Sequence, residues 1–94
     1  MIGHYAGSFD PPHHGHLDII RRAAALCQRL VVGIAVNPDK TPFLNVDVRR
    51  HLLSELLGDL RNVTIDTYSG ATLEHARSHG CDVLVRALRT AVDA

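Results

Sequence analysis

With 94 residues, 10.3 kDa and a formal net charge of zero, the sequence has room for one domain. A chain of this size buries only about 60–65% of the surface it exposes when unfolded, so its core is small. Its 46% hydrophobic and 21% charged residues are ordinary for a globular protein and argue against disorder. Ten basic residues cancel ten acidic ones and Trp is absent, which leaves no general field for nucleic acid or membrane and little material for stacking single strands. A local cationic pocket remains open.

Cys27 and Cys81 are far apart, form no CxxC pair, and read as reduced core residues of a reducing compartment. The longest apolar run, residues 30–36, is too short to span a bilayer. Met1, Ile2, Gly3 and His4 lack the basic segment and hydrophobic stretch of a secretion signal, so a cytoplasmic protein is expected.

Strand and helix signals alternate along the chain. Residues 2–6 form a short strand running into the turn residues Gly7 and Ser8. From Gly15 to Gln28, Leu17, Ile20, Ala24 and Cys27 recur with a helical period. Residues 30–36 are apolar on both faces, as in a buried parallel strand. Residues 37–42 are a loop by their prolines and turn formers. Val48, Leu52, Leu53, Leu56, Leu57 and Leu60 then predict a helix whose leucine stripe is core, with Asn45 as N-cap, Asp47 in the first turn and Gly58 near the end. Residues 63–67 alternate like a strand. Residues 69–79 read as a shorter helix closed by Gly80, residues 82–87 as another buried strand, and Thr90 as the start of a further helix. The alternation predicts an α/β fold: a Rossmann-like parallel sheet with flanking helices, whose ligands sit beyond the carboxyl ends of the strands. The informative loops are then those after Ala6, Val36 and Val85.

The first of these reads Gly7-Ser8-Phe9-Asp10-Pro11-Pro12-His13-His14-Gly15-His16. Gly7 and Ser8 allow a tight turn, and the helix beginning near Gly15 turns its free amides toward the loop, a natural seat for phosphate. His13 and His16 share one face of the first turn and can donate hydrogen bonds to phosphate oxygens, more strongly if protonated. The three histidines of this loop, His13, His14 and His16, also fit a metal site or an exposed polar loop, and Asp10 fits either an N-cap or a functional role. Read alone, Lys40 is a solvated loop charge. Arg86 and Arg89 at the end of a buried strand, opposite the histidine loop, point to an anion site. Arg21, Arg22, Arg49 and Arg50 read as helix-surface charges, and His51, His75 and His79 as structural.

The loop from Gly7 to Pro11, followed by His13-His14-Gly15-His16, resembles the (T/S)FDP…HxGH signature of the nucleotidyltransferase superfamily. Asn37-Pro38-Asp39-Lys40-Thr41-Pro42-Phe43, Arg61-Asn62-Val63 and Val85-Arg86-Ala87-Leu88-Arg89 resemble, in order and spacing, segments of phosphopantetheine adenylyltransferase. The resemblance covers the whole chain as one nucleotidyltransferase domain, residues 1–94. It implies transfer of AMP from ATP to 4′-phosphopantetheine, giving dephospho-coenzyme A and pyrophosphate. It implies His16 and Lys40 as catalytic residues. Ser8, Phe9, His13, His16, Ala87, Leu88 and Arg89 would contact ATP; Ser8, Lys40, Thr72 and Arg86 would contact phosphopantetheine. No protein metal site is implied, Mg²⁺ being bound through ATP phosphates, and self-association is expected because the family is commonly hexameric.

The sequence departs from the family in three places. Ala87 stands where the family has glycine. Ala71 and Thr72 replace two bulky apolar residues that pack on the pantetheine arm. The family also continues past Ala94 with a glutamate-containing helix, a fifth strand and a loop over ATP, so this chain is expected to lack the last strand and carboxy-terminal helices. Residues 82–87 then become a sheet edge, and the short chain binds ligand weakly and turns over slowly or not at all. A nicotinate-mononucleotide adenylyltransferase and a non-catalytic assembly module are the alternatives.

Overall fold

The computed structural model describes residues 1–86. The elements run β1 (Ile2–Gly7), α1 (His14–Leu26), β2 (Arg29–Ala35), α2 (Val46–Leu56), β3 (Val63–Tyr68), α3 (Thr72–Ser78) and β4 (Val83–Val85). All pairings are parallel, in the order β3-β2-β1-β4. The carboxyl ends of β1, β2 and β4 therefore lie at the same edge of the sheet, with that of β1 between the other two.

The expected elements are present, and their boundaries differ for local reasons. The third helix starts at Thr72 rather than Ser69, because Gly70 adopts φ +88° and turns the chain first. Gly80, at φ +71°, follows the His79 C-cap and closes the helix as expected. The last strand is shorter than residues 82–87. β4 pairs with β1 alone among the described strands and is an edge, with Val83 and Leu84 exposed. The helix expected from Thr90 lies outside the described residues.

The sheet has two unlike faces. Residues Tyr5, Leu30, Val32, Ile34, Val63 and Ile65 alternate onto one face and join Ile20, Ala23 and Ala24 of α1 and Leu53 and Leu57 beside them in a single apolar core. Fully burying a Leu, Ile or Val side chain of this core contributes roughly 1.5–3 kcal/mol. The leucine stripe expected as core divides: Leu53 and Leu57 are buried, whereas Leu56 and Val48 are exposed. The buried face of α2 is set by Val46, Arg49, Leu53 and Leu57, and Arg49 takes one of its inward positions. Neither cysteine is fully buried, and both are free thiols.

The other face lies under α3 and is polar. His4 and Tyr68 approach so closely over Gly33 that a Cβ there would stand 2.9 Å from His4 Nε2 and 2.9 Å from Tyr68 Cε1. A glycine in the middle of a buried strand is thus required by the two rings that share its space. Asn62 Nδ2 donates to the carbonyls of Ala24 and Cys27, satisfying groups that the end of α1 leaves free. Among the described residues, no helix is long and apolar enough to cross a membrane.

Candidate active site

The loop leaving β1 is built around Phe9. Its backbone has φ 51°, uncommon for a residue with a side chain, and its ring is fully buried. A Cβ at Gly7 would come within 3.0 Å of the ring, so Gly7 leaves the space into which Phe9 folds. The ring packs edge-on to Tyr5 and to His16, at centroid distances of 5.8 and 4.8 Å. Phe9 therefore supports the loop from beneath; with the whole residue 0% exposed, it offers no free surface to a nucleotide, contrary to the ATP contact expected of it.

His13, and not Asp10, is the N-cap of α1. His16 N–H donates to His13 Nδ1 (3.3 Å) and His13 N–H donates to His16 Nδ1 (3.1 Å), a reciprocal capping box. The two rings stack with centroids 3.5 Å apart. Because each Nδ1 accepts a backbone proton, each neutral ring carries its own proton on Nε2. Burial, and secondarily the neighbouring His13, lowers the pKa of His16 below its ordinary value. The sequence suggested that protonation would strengthen these donors; the fold instead favours neutral His16 with a fixed Nε2–H. The two imidazoles stand at a helix N-terminus whose amide dipoles favour an anion.

Asp10 joins this loop to the next. Its Oδ2 accepts from Phe43 N–H (2.8 Å) and its Oδ1 from Leu44 N–H (2.6 Å). The segment carrying Lys40 is thereby held against the end of β1, and Ser8, Asp10, Asn37, Lys40 and Arg49 line a common cleft of about 500 Å³. Lys40 is exposed and forms no ion pair among the described residues.

Arg49 corrects the sequence reading. It is only 4% exposed, not a surface charge. Its Nη1 donates to the Ser8 carbonyl at 2.9 Å, its Nε is buried without a partner, and it pairs with no carboxylate among the described residues. A buried guanidinium in a cleft with no counter-charge among the described residues is a costly arrangement that an anionic ligand would complete. The signal was present in the sequence, since residue 49 falls on the inward period with Val46, Leu53 and Leu57.

On the other side of the β1 end, Ala6, Thr72, Leu73, Leu84, Val85 and Arg86 line a second cleft of about 750 Å³. The Thr72 hydroxyl is 2.7 Å from that of Tyr68, and Arg86 is exposed. The structure thus brings Ser8 to Lys40 and Thr72 to Arg86, in clefts that flank the end of β1. Ala87, Leu88 and Arg89 lie outside the described residues. Arg21, Arg22 and His51 stay on the surface, paired with Asp59, Asp18 and Glu55. His75 and His79 belong to a cluster that sequence reasoning missed, described below.

The profile of the cytidylyltransferase-like family matches residues 4–94. Among curated relatives, a protein from Synechococcus sp. named phosphopantetheine adenylyltransferase is 44% identical over 93 residues, 99% of this chain and 58% of its own length. Proteins of the same name from Alkaliphilus oremlandii and Carboxydothermus hydrogenoformans are 40% and 44% identical, over 95% and 98% of this chain and 57% of each relative. The chain therefore spans rather more than half the length of the curated relatives it matches. With its parallel sheet, its histidine-capped first helix and a profile match over nearly every residue, the chain belongs to the cytidylyltransferase-like family.

Proposed function

We propose that the chain carries the adenylyl-transfer site of a phosphopantetheine adenylyltransferase, which joins AMP from ATP to 4′-phosphopantetheine and releases pyrophosphate. The observation that carries this reading is the capping box. It leaves the protons of two imidazoles on Nε2 at a helix N-terminus, beside a cleft holding Lys40 and the buried guanidinium of Arg49. The names and identities of the relatives support the choice of acceptor.

The attacking group is a phosphate oxygen of the acceptor. Its lone pair forms the new bond to the α-phosphorus while the bond to the bridging oxygen breaks, and the electron pair leaves with pyrophosphate. The nucleophile is already anionic, so no side chain has to remove a proton from it. The protein's task is to hold two anions in line and stabilise charge growing on the α-phosphate. His16 Nε2–H donates to a non-bridging oxygen of that phosphate, and His13 Nε2–H steadies the rest of the triphosphate. Lys40 and Arg49 neutralise acceptor phosphate and reacting centre, with Ser8 between the substrates. Arg86 and Thr72 would hold the acceptor on the other side, and Ala87, Leu88 and Arg89 the nucleotide.

Both carboxylate oxygens of Asp10 are already engaged by backbone amides. A Mg²⁺ arriving with ATP would accordingly be coordinated by phosphate oxygens and water, and would supply further neutralisation of the triphosphate. Self-association belongs to the same reading, supported by the apolar Val48 and Leu56 exposed on α2.

The test is direct. The chain is titrated with ATP, 4′-phosphopantetheine and nicotinate mononucleotide by calorimetry, and pyrophosphate release is followed with each acceptor. Binding of ATP and of phosphopantetheine, with any pyrophosphate release confined to that acceptor, supports the proposal. Preference for the mononucleotide, or binding of neither substrate, overturns it.

A further inference from the structure

The polar face of the sheet holds a cluster that adenylyl transfer does not use. His75 lies on α3 and His79 is its C-cap, four residues on, so that the two rings stand one above the other with centroids 4.6 Å apart. Asp66 reaches them from β3. Its Oδ2 is 2.8 Å from His75 Nε2 and 2.9 Å from His79 Nε2. One potential ligand atom from each of the three side chains lies within 4.8 Å of the other two. The side chains of His75, Asp66 and His79 are 10%, 36% and 28% exposed, so the cluster is anchored inside and open to solvent outside. Behind it, the buried His4 places Nε2 2.8 Å from His75 Nδ1.

We propose that Asp66, His75 and His79 bind a divalent transition-metal ion, with Zn²⁺ the best match. Two imidazole nitrogens and one carboxylate oxygen form a donor set suited to Zn²⁺, whereas Mg²⁺ and Ca²⁺ favour oxygen throughout. The site is therefore distinct in chemistry from a Mg²⁺ bound through ATP phosphates. Two histidines four apart on one helix face are a bidentate chelate before any third ligand is added.

Around Asp66 the geometry needs little adjustment. Bonds of about 2.0–2.1 Å at tetrahedral angles put ligand atoms ~3.3 Å apart, so each Asp66–His separation opens by roughly 0.5 Å. Asp66 and His79 are part-exposed and have room to do so. In the metal-free chain the Nε2 protons of both histidines point at Asp66. Shifting each proton to Nδ1 frees the Nε2 lone pair for the metal; His75 Nδ1–H then donates to His4 Nε2, which gives up its own proton to the buried His4 Nδ1. That hydrogen bond fixes the ring as outer partners of metal-ligating histidines commonly do. Because Asp66 and His79 are partly exposed, water can reach the ion as a further ligand.

The experiment uses the whole chain and Zn²⁺ alone, titrated in competition with a chromophoric chelator. Co²⁺ serves as a second probe whose visible bands report tetrahedral coordination. One ion per chain is expected, with His79→Ala and Asp66→Asn each weakening it by at least about tenfold and His14→Ala leaving it unchanged. Absence of binding overturns the proposal, as does affinity that survives in His79→Ala and is lost in His14→Ala. Imidazole ¹⁵N shifts of the unmutated chain give an answer that no folding defect can blur. Zn²⁺ should move the signals of His75 and His79 before those of His13 and His16; the reverse order defeats the assignment.

Discussion

Replacing Arg49 by methionine separates a binding role from a structural one. Met keeps a long unbranched stem in the space that the 4%-exposed Arg49 fills. The change removes the donor to the Ser8 carbonyl at 2.9 Å, an interaction of roughly 1.5–3 kcal/mol for a charged partner. It also removes a buried charge that, among the described residues, pairs with no carboxylate and leaves its Nε without a partner, a relief of similar size. The two effects nearly cancel, so stability should change by no more than about 1 kcal/mol, or ~4–8 °C in Tm for a domain of this size. Ligand binding has no such compensation. Losing one charge-assisted contact to phosphate costs about 1.5–3 kcal/mol, an affinity loss of roughly 10–150-fold. Calorimetry with ATP and with inorganic tripolyphosphate, beside thermal melts of both proteins, measures the two quantities. Unchanged affinity together with a stability loss of several kcal/mol would refute the reasoning and make Arg49 a strut for the Ser8 loop.

Three further outcomes are expected. His13→Ala should cost ~1 kcal/mol of stability by removing the cap of α1, and His13→Asn should restore most of it, as urea titrations will show; equal losses would mean that the capping box does not hold the helix. Stability should fall with acid. His4, lowered by burial and then by His75 and His79, and His16, lowered by burial and then by His13, both resist protonation in the fold. Each thus contributes stability that is present above the unfolded value near 6.5 and lost as pH drops through the lower folded one; melts between about pH 7.5 and 5 should show a smaller loss in His4→Gln than in the parent. Gly33→Ala, whose new methyl would meet His4 and Tyr68 at 2.9 Å, should destabilise by roughly 1–3 kcal/mol in the same urea assay.

Much of this architecture is legible in the residues because local pattern and global packing agree. The runs that form β1, β2 and β3 are apolar or alternating, the helical periods are clear, and Asn45 caps α2 as its position foretells. The capping pair of His13 and His16 is visible in spacing, though the tautomer it fixes is not, since that depends on which nitrogen meets the backbone. Arg49 was misread because charge on a helix ordinarily means solvent, and the leucines around it suggested a different inward face. The cluster of His4, Asp66 and His75 was beyond sequence reading for another reason. His4 and His75 are 71 residues apart, and only the parallel order of β1, β2 and β3 under α3 brings them together. The spacing of His75 and His79 was in plain view, but nothing local named Asp66 as their partner.

The two amide contacts of Asp10 have a consequence for how this site tolerates change. One side chain fastens the turn after β1 to the segment ahead of α2, across 33 and 34 positions of sequence. Insertions or deletions in either stretch would have to keep both anchor points in register, while substitutions between them are freer. Asparagine, nearly the same shape, would set an NH₂ group against one of the two amide protons, so the smallest swap at this position unfastens half the clasp.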